Sequence, residues 1–66
     1  MTNTLNYRAS NPNGRKCEVR QSENPWDKGY SVFTWLDVGT GVIQWREKHE
    51  LEWNNAYKIA QEWITV

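Results

Sequence analysis

Apolar and polar residues alternate along much of the first two-thirds of the chain, and this period of two predicts β-strands. The first pair of strands flanks Asn11-Pro12-Asn13-Gly14, where proline fixes φ and the Asn-Gly pair tolerates positive φ. Alternation on both sides of such a turn predicts a β-hairpin with one apolar face and one basic, polar face. The apolar positions are Leu5, Tyr7, Ala9, Cys17 and Val19.

A second hairpin is predicted from Tyr30 to about Glu47, around a turn at residues 37–41. Within this turn we expect Asp37 to accept hydrogen bonds from nearby backbone amides. Gly41 is expected to adopt the left-handed conformation, because glycine reaches positive φ without steric cost.

The second hairpin has apolar residues on both faces, and we expect the bulkier face to lie beneath the helix. On that face Phe33 should meet Trp45 across the strands, and Trp35 should meet Ile43. The expected open face contains Tyr30, Val32, Thr34, Leu36, Val42, Gln44 and Arg46.

From about Glu50 the apolar residues follow the period of an α-helix. Ala56 and Ala60 lie in the middle of the apolar stripe, where small side chains let a helix approach a sheet closely. Glu50 and Glu52 are expected in the first turn, where negative charge suits the helix dipole. The stripe consists of Trp53, Ala56, Tyr57, Ala60, Trp63 and Ile64.

These elements predict a single α+β domain over residues 1–66, in the order β-β-β-β-α. The two hairpins form a small antiparallel sheet of about four strands, and the C-terminal amphipathic helix packs on one face. The pattern leaves open whether the hairpins join through the second and third strands. Five Trp, three Tyr and one Phe in 66 residues supply much of the apolar area for the core.

The chain offers few groups for chemistry. Cys17 is the single cysteine, so no intrachain disulfide can form, and with His49 alone beside it a four-ligand zinc site is excluded. Cys17 lies on an apolar face and is expected to be buried, and His49 is expected at the surface or at the start of the helix. We therefore expect no catalytic residue, cofactor or metal, and a protein that is not an enzyme.

Charge is balanced overall but unevenly distributed. Residues 1–21 hold four basic side chains and one acidic, whereas residues 22–66 hold four basic and seven acidic. Ordinary scatter in a short chain is one interpretation, and a basic hairpin that steers a partner is the other. The N-terminal residues lack the apolar segment of a secretory signal and no run could span a bilayer, so we expect a cytoplasmic location.

The first functional hypothesis is a protein-binding module that acts stoichiometrically as an adaptor, regulator or inhibitor of a larger protein or complex. Aromatic residues exceed the needs of so small a core, and Trp26 lies in a predicted loop outside both apolar patterns. The other interpretation of Trp26 is a lid over one end of the core. A small chain with two hairpins and one helix suits a bacterial accessory protein or a phage protein that inhibits a host machine. The expected partner contacts are Trp26, Tyr30, Arg8, Arg15, Lys16 and Arg20.

Two alternatives remain open. Arg8, Lys16 and Arg20 should project from one side of the first hairpin with Arg15 at its turn, which suggests nucleic-acid binding. The net charge of zero and the expected burial of the large rings argue against it. A homodimer that pairs two open sheet faces is the other alternative.

Overall fold

A computed structural model of the chain describes residues 3–22 and 28–65. It contains four antiparallel strands in one open sheet, ordered β1-β2-β3-β4, followed by a helix packed against the sheet. This confirms the predicted β-β-β-β-α fold. The elements are β1 (Asn3–Ser10), β2 (Arg15–Ser22), β3 (Tyr30–Asp37), β4 (Val42–Glu50) and α1 (Trp53–Ile64).

The two hairpins form one continuous sheet because β2 and β3 pair antiparallel. The first turn is shaped by Asn11, whose Oδ1 accepts hydrogen bonds from the N–H groups of Asn13 and Arg15, both at 3.0 Å. Gly14 has a φ of +91°, and its carbonyl accepts a hydrogen bond from the Asp37 N–H at 2.8 Å. A side chain at Gly14 would overlap the Asp37 carbonyl oxygen, so this close approach of the turn to β3 requires glycine.

Strand β1 contains a β-bulge near its start. The register shifts between Leu5 and Tyr7, so that Asn6 is an extra residue in the pairing with β2. Leu5 therefore lies opposite Arg20, and not on the same face as Tyr7. The prediction that Leu5 belongs to the apolar face of the first hairpin is wrong for this reason.

Small side chains form the centre of the core. The buried residues include Cys17, Val19 and Val32 from the sheet and Ala56 and Ala60 from α1. This arrangement confirms the predicted burial of Cys17 and the role of the two alanines. Small residues on both sides let α1 approach the middle of the sheet, where it lies mainly over β2 and β3.

The face beneath α1 is the opposite of the one we expected. Phe33, Trp35 and Trp45 lie on the far side of the sheet from α1, so the prediction that this bulkier face is covered by the helix is wrong. A layer of large rings would hold α1 away from the sheet. It would also leave the apolar face of the first hairpin, with Cys17 and Val19, without a cover.

Aromatic rings close the edges of the core and confirm the predicted helical stripe. The rings of Tyr30 and Trp53 meet edge to face with centroids 5.4 Å apart, and Tyr57 stacks against Trp53 at 5.8 Å. Near the other end of α1, the indole N–H of Trp63 donates a hydrogen bond to the Trp35 carbonyl at 3.1 Å. The helix is thus anchored near both of its ends.

The helix begins at Trp53, later than the predicted start at about Glu50. Strand β4 continues as far as Glu50, because the pairing with β3 extends to this residue. Glu52 is the residue before the first helical turn. Neither glutamate therefore lies within that turn, where we expected both.

The second hairpin differs from the prediction at its turn and in β4. Gly39, and not Gly41, has a positive φ of +85°. The Gly39 N–H donates a hydrogen bond to Asp37 Oδ1 at 2.9 Å, which confirms Asp37 as a turn residue. In β4 a second β-bulge lies opposite Trp35, and within it Gln44 has a φ of +56°.

Candidate binding face

The open face is the side of the sheet opposite α1, and three rings form its centre. Phe33 and Trp35 alternate with the buried residues Val32 and Thr34 along β3, so they point away from α1. The Trp45 ring centroid lies 5.6 Å from that of Phe33 and 5.2 Å from that of Trp35. We call these three residues the aromatic cluster, and Trp45 in it is 57 % exposed.

A β-bulge in β4 lies directly beside the aromatic cluster. The extra residue falls between the partners of Thr34 and Leu36, so that both Gln44 and Trp45 lie opposite Trp35. Arg46 lies opposite the buried Thr34, so alternation along β4 places the neighbouring Trp45 on the open face. The positive φ of a residue other than glycine costs about 1–2 kcal/mol, and bulges commonly re-aim a side chain at functional sites. Here the bulge re-aims Ile43, which lies opposite Leu36 and does not share the open face with Trp45.

One of the two predicted cross-strand contacts is present. The rings of Phe33 and Trp45 are in contact, as predicted. Ile43, however, lies opposite Leu36, so the predicted pairing of Ile43 with Trp35 is wrong. The bulge accounts for this difference, because it shifts the register so that Ile43 shares a face with Leu36 and not with Trp35.

Ion pairs border the aromatic cluster on its β1–β2 side. The carboxylate of Glu18, whose side chain is 15 % exposed, accepts Arg8 Nη2 at 2.8 Å and Arg20 Nε at 3.0 Å. Lys16 Nζ pairs with Asp37 Oδ2 at 3.1 Å. Each of these three basic side chains therefore has an acidic partner on the same face.

The environment of Asp37 favours its charged form. The hydrogen bond from the Gly39 N–H lowers the pKa of the Asp37 carboxyl, and the ammonium of Lys16 lowers it further. The carboxylate is therefore ionised at neutral pH, and its ion pair with Lys16 is maintained.

A depression of about 380 Å³ lies beside Trp35 on the β1–β2 side of the aromatic cluster. Its lining includes Arg8, Lys16, Glu18 and Trp35. The open face thus combines exposed apolar rings, a concavity and charged groups at the border. Protein interfaces commonly have this composition, an apolar centre with charged groups at the border.

Three of the six predicted contact residues lie together on the open face. Arg8 and Arg20 both pair with Glu18, and Lys16 lies opposite Trp35. The prediction that the three basic side chains project from one side of the first hairpin is therefore confirmed. Their role as partner contacts stays a prediction.

The other three predicted residues are not part of this group. Arg15 lies on the α1 side, with its guanidinium 4.1 Å from the centroid of the Trp63 ring. Tyr30 is half-buried against Trp53, and Trp26 lies outside the described residues. The sequence reasoning missed the aromatic cluster as a surface, because the cluster was expected beneath the helix.

The described residues include two groups of the kinds used in nucleophilic or acid–base catalysis, Cys17 and His49. Cys17 is fully buried, and burial raises the pKa of its thiol, which stays neutral. His49 lies exposed near the end of β4. Within residues 3–22 and 28–65, no group of three His, Cys, Asp or Glu side chains is arranged to hold a metal ion.

Comparison with known proteins finds no family model, no curated protein and no solved structure that matches this chain. In the described part of the chain, no helix has the length and apolar character needed to cross a membrane. The geometry of the open face is therefore the basis for inferring the function.

Proposed function

We propose that this protein is a small binding module that docks through its open face onto a larger protein or protein complex. It acts stoichiometrically, as an adaptor, regulator or inhibitor, and without catalysis. The observation that carries the proposal is the aromatic cluster, which the fold places on the side of the sheet that α1 leaves uncovered. Tryptophan is among the residues that contribute most to protein interfaces.

The strained bulge at Gln44 supports the same surface. Gln44 has a positive φ and lies opposite Trp35, directly beside Trp45. Backbone strain of this kind is commonly associated with functional sites. The strain therefore lies next to the rings that we propose as anchors for the partner.

Charge favours a protein over a nucleic acid as the partner. The three basic side chains of the open face are paired with Glu18 and Asp37, and Glu47 lies opposite Phe33 on the same face. Three basic and three acidic groups therefore balance around the aromatic cluster. Nucleic-acid affinity depends on cations that are free to neutralise phosphates, whereas a protein interface has an apolar centre with mixed charge at its border.

A nucleic acid is the second candidate, because one observation favours it. Arg8, Lys16 and Arg20 share a face with three exposed or half-buried rings, and bases stack on sheet aromatics while arginines contact phosphates. Because α1 does not cover these rings, the expected burial of the large rings no longer argues against nucleic-acid binding. For these basic side chains to bind phosphates, their ion pairs with Glu18 and Asp37 would have to break.

Affinity capture tests the proposal. Wild-type protein, Trp45→Ser and the control Lys58→Glu are immobilised, and native lysate is passed over each with and without nuclease. Lys58 is an exposed residue of α1, on the other side of the sheet from the aromatic cluster. We expect wild type and Lys58→Glu to retain one protein stoichiometrically despite nuclease, and Trp45→Ser to retain at least tenfold less.

Far-UV circular dichroism checks that each variant is folded, and Arg8→Ala serves as a second variant at the border of the open face. Equal retention of the partner by wild type, Trp45→Ser and Arg8→Ala would contradict the proposal. Retention that is lost after nuclease treatment would instead support the nucleic-acid candidate. Light scattering of the pure protein separates both from a homodimer, for which the mass would double.

We also propose that the protein is cytoplasmic and acts as a bacterial accessory protein or a phage-encoded inhibitor of a host machine. A free buried thiol at Cys17 suits a reducing compartment. The identity of the captured protein tests this part, because a cytoplasmic partner agrees with it and an extracellular partner does not.

A further inference from the structure

A cleft separates α1 from β4, on the side of the sheet opposite the open face. The helix covers β2 and β3 more closely than β4 and leaves a cavity of about 340 Å³ beside the edge strand. Val32 and Thr34 line the cavity from β3, and Ile59 and Trp63 line it from α1. We call this cavity the α1–β4 cleft.

Two cations line the cleft from β4. Arg46 lies opposite Thr34 and Lys48 lies opposite Val32, so both occupy the face of the sheet that α1 covers. Neither forms an ion pair with a side chain in residues 3–22 or 28–65, whereas the basic side chains of the open face are all paired. Glu62 is the acidic residue in the lining, so the cleft has a positive balance.

These cations are not needed to cap the last turn of α1. Asn11 Nδ2 donates a hydrogen bond to the Ile64 carbonyl at 2.8 Å. The N–H of Thr65 donates to the Gln61 carbonyl at 3.0 Å. Both carbonyls thus have other donors, and within the described residues neither Arg46 nor Lys48 donates a hydrogen bond to the end of α1.

The size of the cleft suggests the size of its ligand. Its volume of about 340 Å³ lies near the lower end of the range of small-molecule sites, which are mostly apolar with a few polar groups that fix orientation. Val32, Ile59 and Trp63 supply the apolar walls, and Thr34 supplies a hydroxyl.

We propose that the α1–β4 cleft binds a small organic anion, in which a phosphate or carboxylate group is joined to a compact apolar body. The anionic group pairs with Arg46 and Lys48, and the apolar body packs against Ile59 and the Trp63 indole. This site is separate from the open face and does not depend on the proposed protein partner. A ligand bound here gives the protein a second, small-molecule input.

Titration of isotope-labelled protein by NMR spectroscopy tests the proposal. Phenyl phosphate is the phosphate probe, phenylacetate is the carboxylate probe, and benzyl alcohol is the neutral control with a similar apolar body. We expect saturable shifts at the Trp63 indole N–H and at the backbone amides of Arg46 and Lys48 with one or both anions. Benzyl alcohol should bind at least tenfold more weakly, and added salt should weaken the anions.

Variants locate the binding. The double variant Arg46→Gln with Lys48→Gln should bind at least tenfold more weakly, and the control Lys58→Gln, on an exposed position of α1 outside the cleft, should bind as wild type does. Both cleft cations have exposed side chains, so the double variant should remain folded. The proposal is overturned if neither anion gives saturable shifts. It also fails if the double variant binds as tightly as wild type, or if the shifts map to Trp45.

Discussion

The assignment of the covered face predicts a large effect from a small deletion at Val32. This residue is 1 % exposed and lies in the core with Val19 and Ala56. Val32→Ala removes the equivalent of two methylene groups, or about 1.6 kcal/mol of transfer free energy at about 0.8 kcal/mol each. The unfilled cavity adds to this cost. We expect a loss of about 2–3 kcal/mol in the free energy of unfolding, against a total of about 3–5 kcal/mol for a chain of this size.

Val42 provides a matched control, because Val42→Ala removes the same side-chain atoms at a position that is exposed to solvent. Val42 lies in β4 and is 53 % exposed. Val42→Ala should therefore cost under about 0.5–0.8 kcal/mol, since half or more of the side chain is already in water and no cavity forms. The sequence pattern placed both valines on the open face. If that interpretation were correct, both variants would lose similar, small amounts of unfolding free energy.

Urea denaturation followed by tryptophan fluorescence and far-UV circular dichroism measures both changes. Equal slopes for wild type and variants would show that the free energies are comparable. In thermal melts the Val32→Ala midpoint should fall by roughly 8–24 °C, at about 4–8 °C per kcal/mol for a domain of this size. If Val32→Ala costs less than about 0.5 kcal/mol and matches Val42→Ala, our reasoning about the covered face is refuted.

Three further predictions concern single groups. Cys17 should react with a thiol reagent only when the chain unfolds, because it is buried and its thiol pKa is raised, so rapid labelling under native conditions would contradict its burial. The pKa of Asp37 is lowered by Gly39 and Lys16, so its stabilisation is present above the unfolded-state pKa and is lost as the pH falls through the folded-state pKa. Urea midpoints of wild type and Asp37→Asn should therefore converge in acid, and a difference that persists there argues against this cause. Gln44→Gly should raise stability by about 0.5–1 kcal/mol, because glycine accepts positive φ; a lower urea midpoint would show that the bulge is not strained.

The periodicity of the sequence was sufficient to predict the order of elements. The turn at residues 11–14 and the apolar stripe of the helix each have a sequence pattern with a direct physical cause. The structure confirms both. Period two also divides each strand into two faces. It does not say which face a helix will cover when both are apolar, as they are in the second hairpin.

The missing information was the register between β2 and β3. Val19 lies opposite Val32, and Cys17 lies opposite Thr34. The apolar face of the first hairpin, which was predicted correctly at these two positions, therefore continues into the face of β3 that α1 covers. Once this register is known, the large rings of β3 must lie on the other side.

The position of Ile43 could not be predicted for a different reason. Its place opposite Leu36, and not with Trp35, depends on a bulge with positive φ at Gln44, a residue type that gives no signal for such a conformation. Phe33, Trp35 and Trp45 were predicted to share a face, but the exposure of that face emerges only from the three-dimensional structure. The sequence nevertheless predicted the basic side chains that border the cluster, because Arg8, Lys16 and Arg20 follow regular alternation.

The most direct test of the open face as the docking surface is photo-crosslinking from its centre. The photoreactive residue p-benzoylphenylalanine replaces Trp45 in one sample and Lys58 in another, and both are irradiated in native lysate treated with nuclease. We expect a single discrete protein adduct from position 45 and none from position 58. An adduct from position 58 with none from position 45, or equal adducts from both, would contradict the claim that the aromatic cluster is the binding surface.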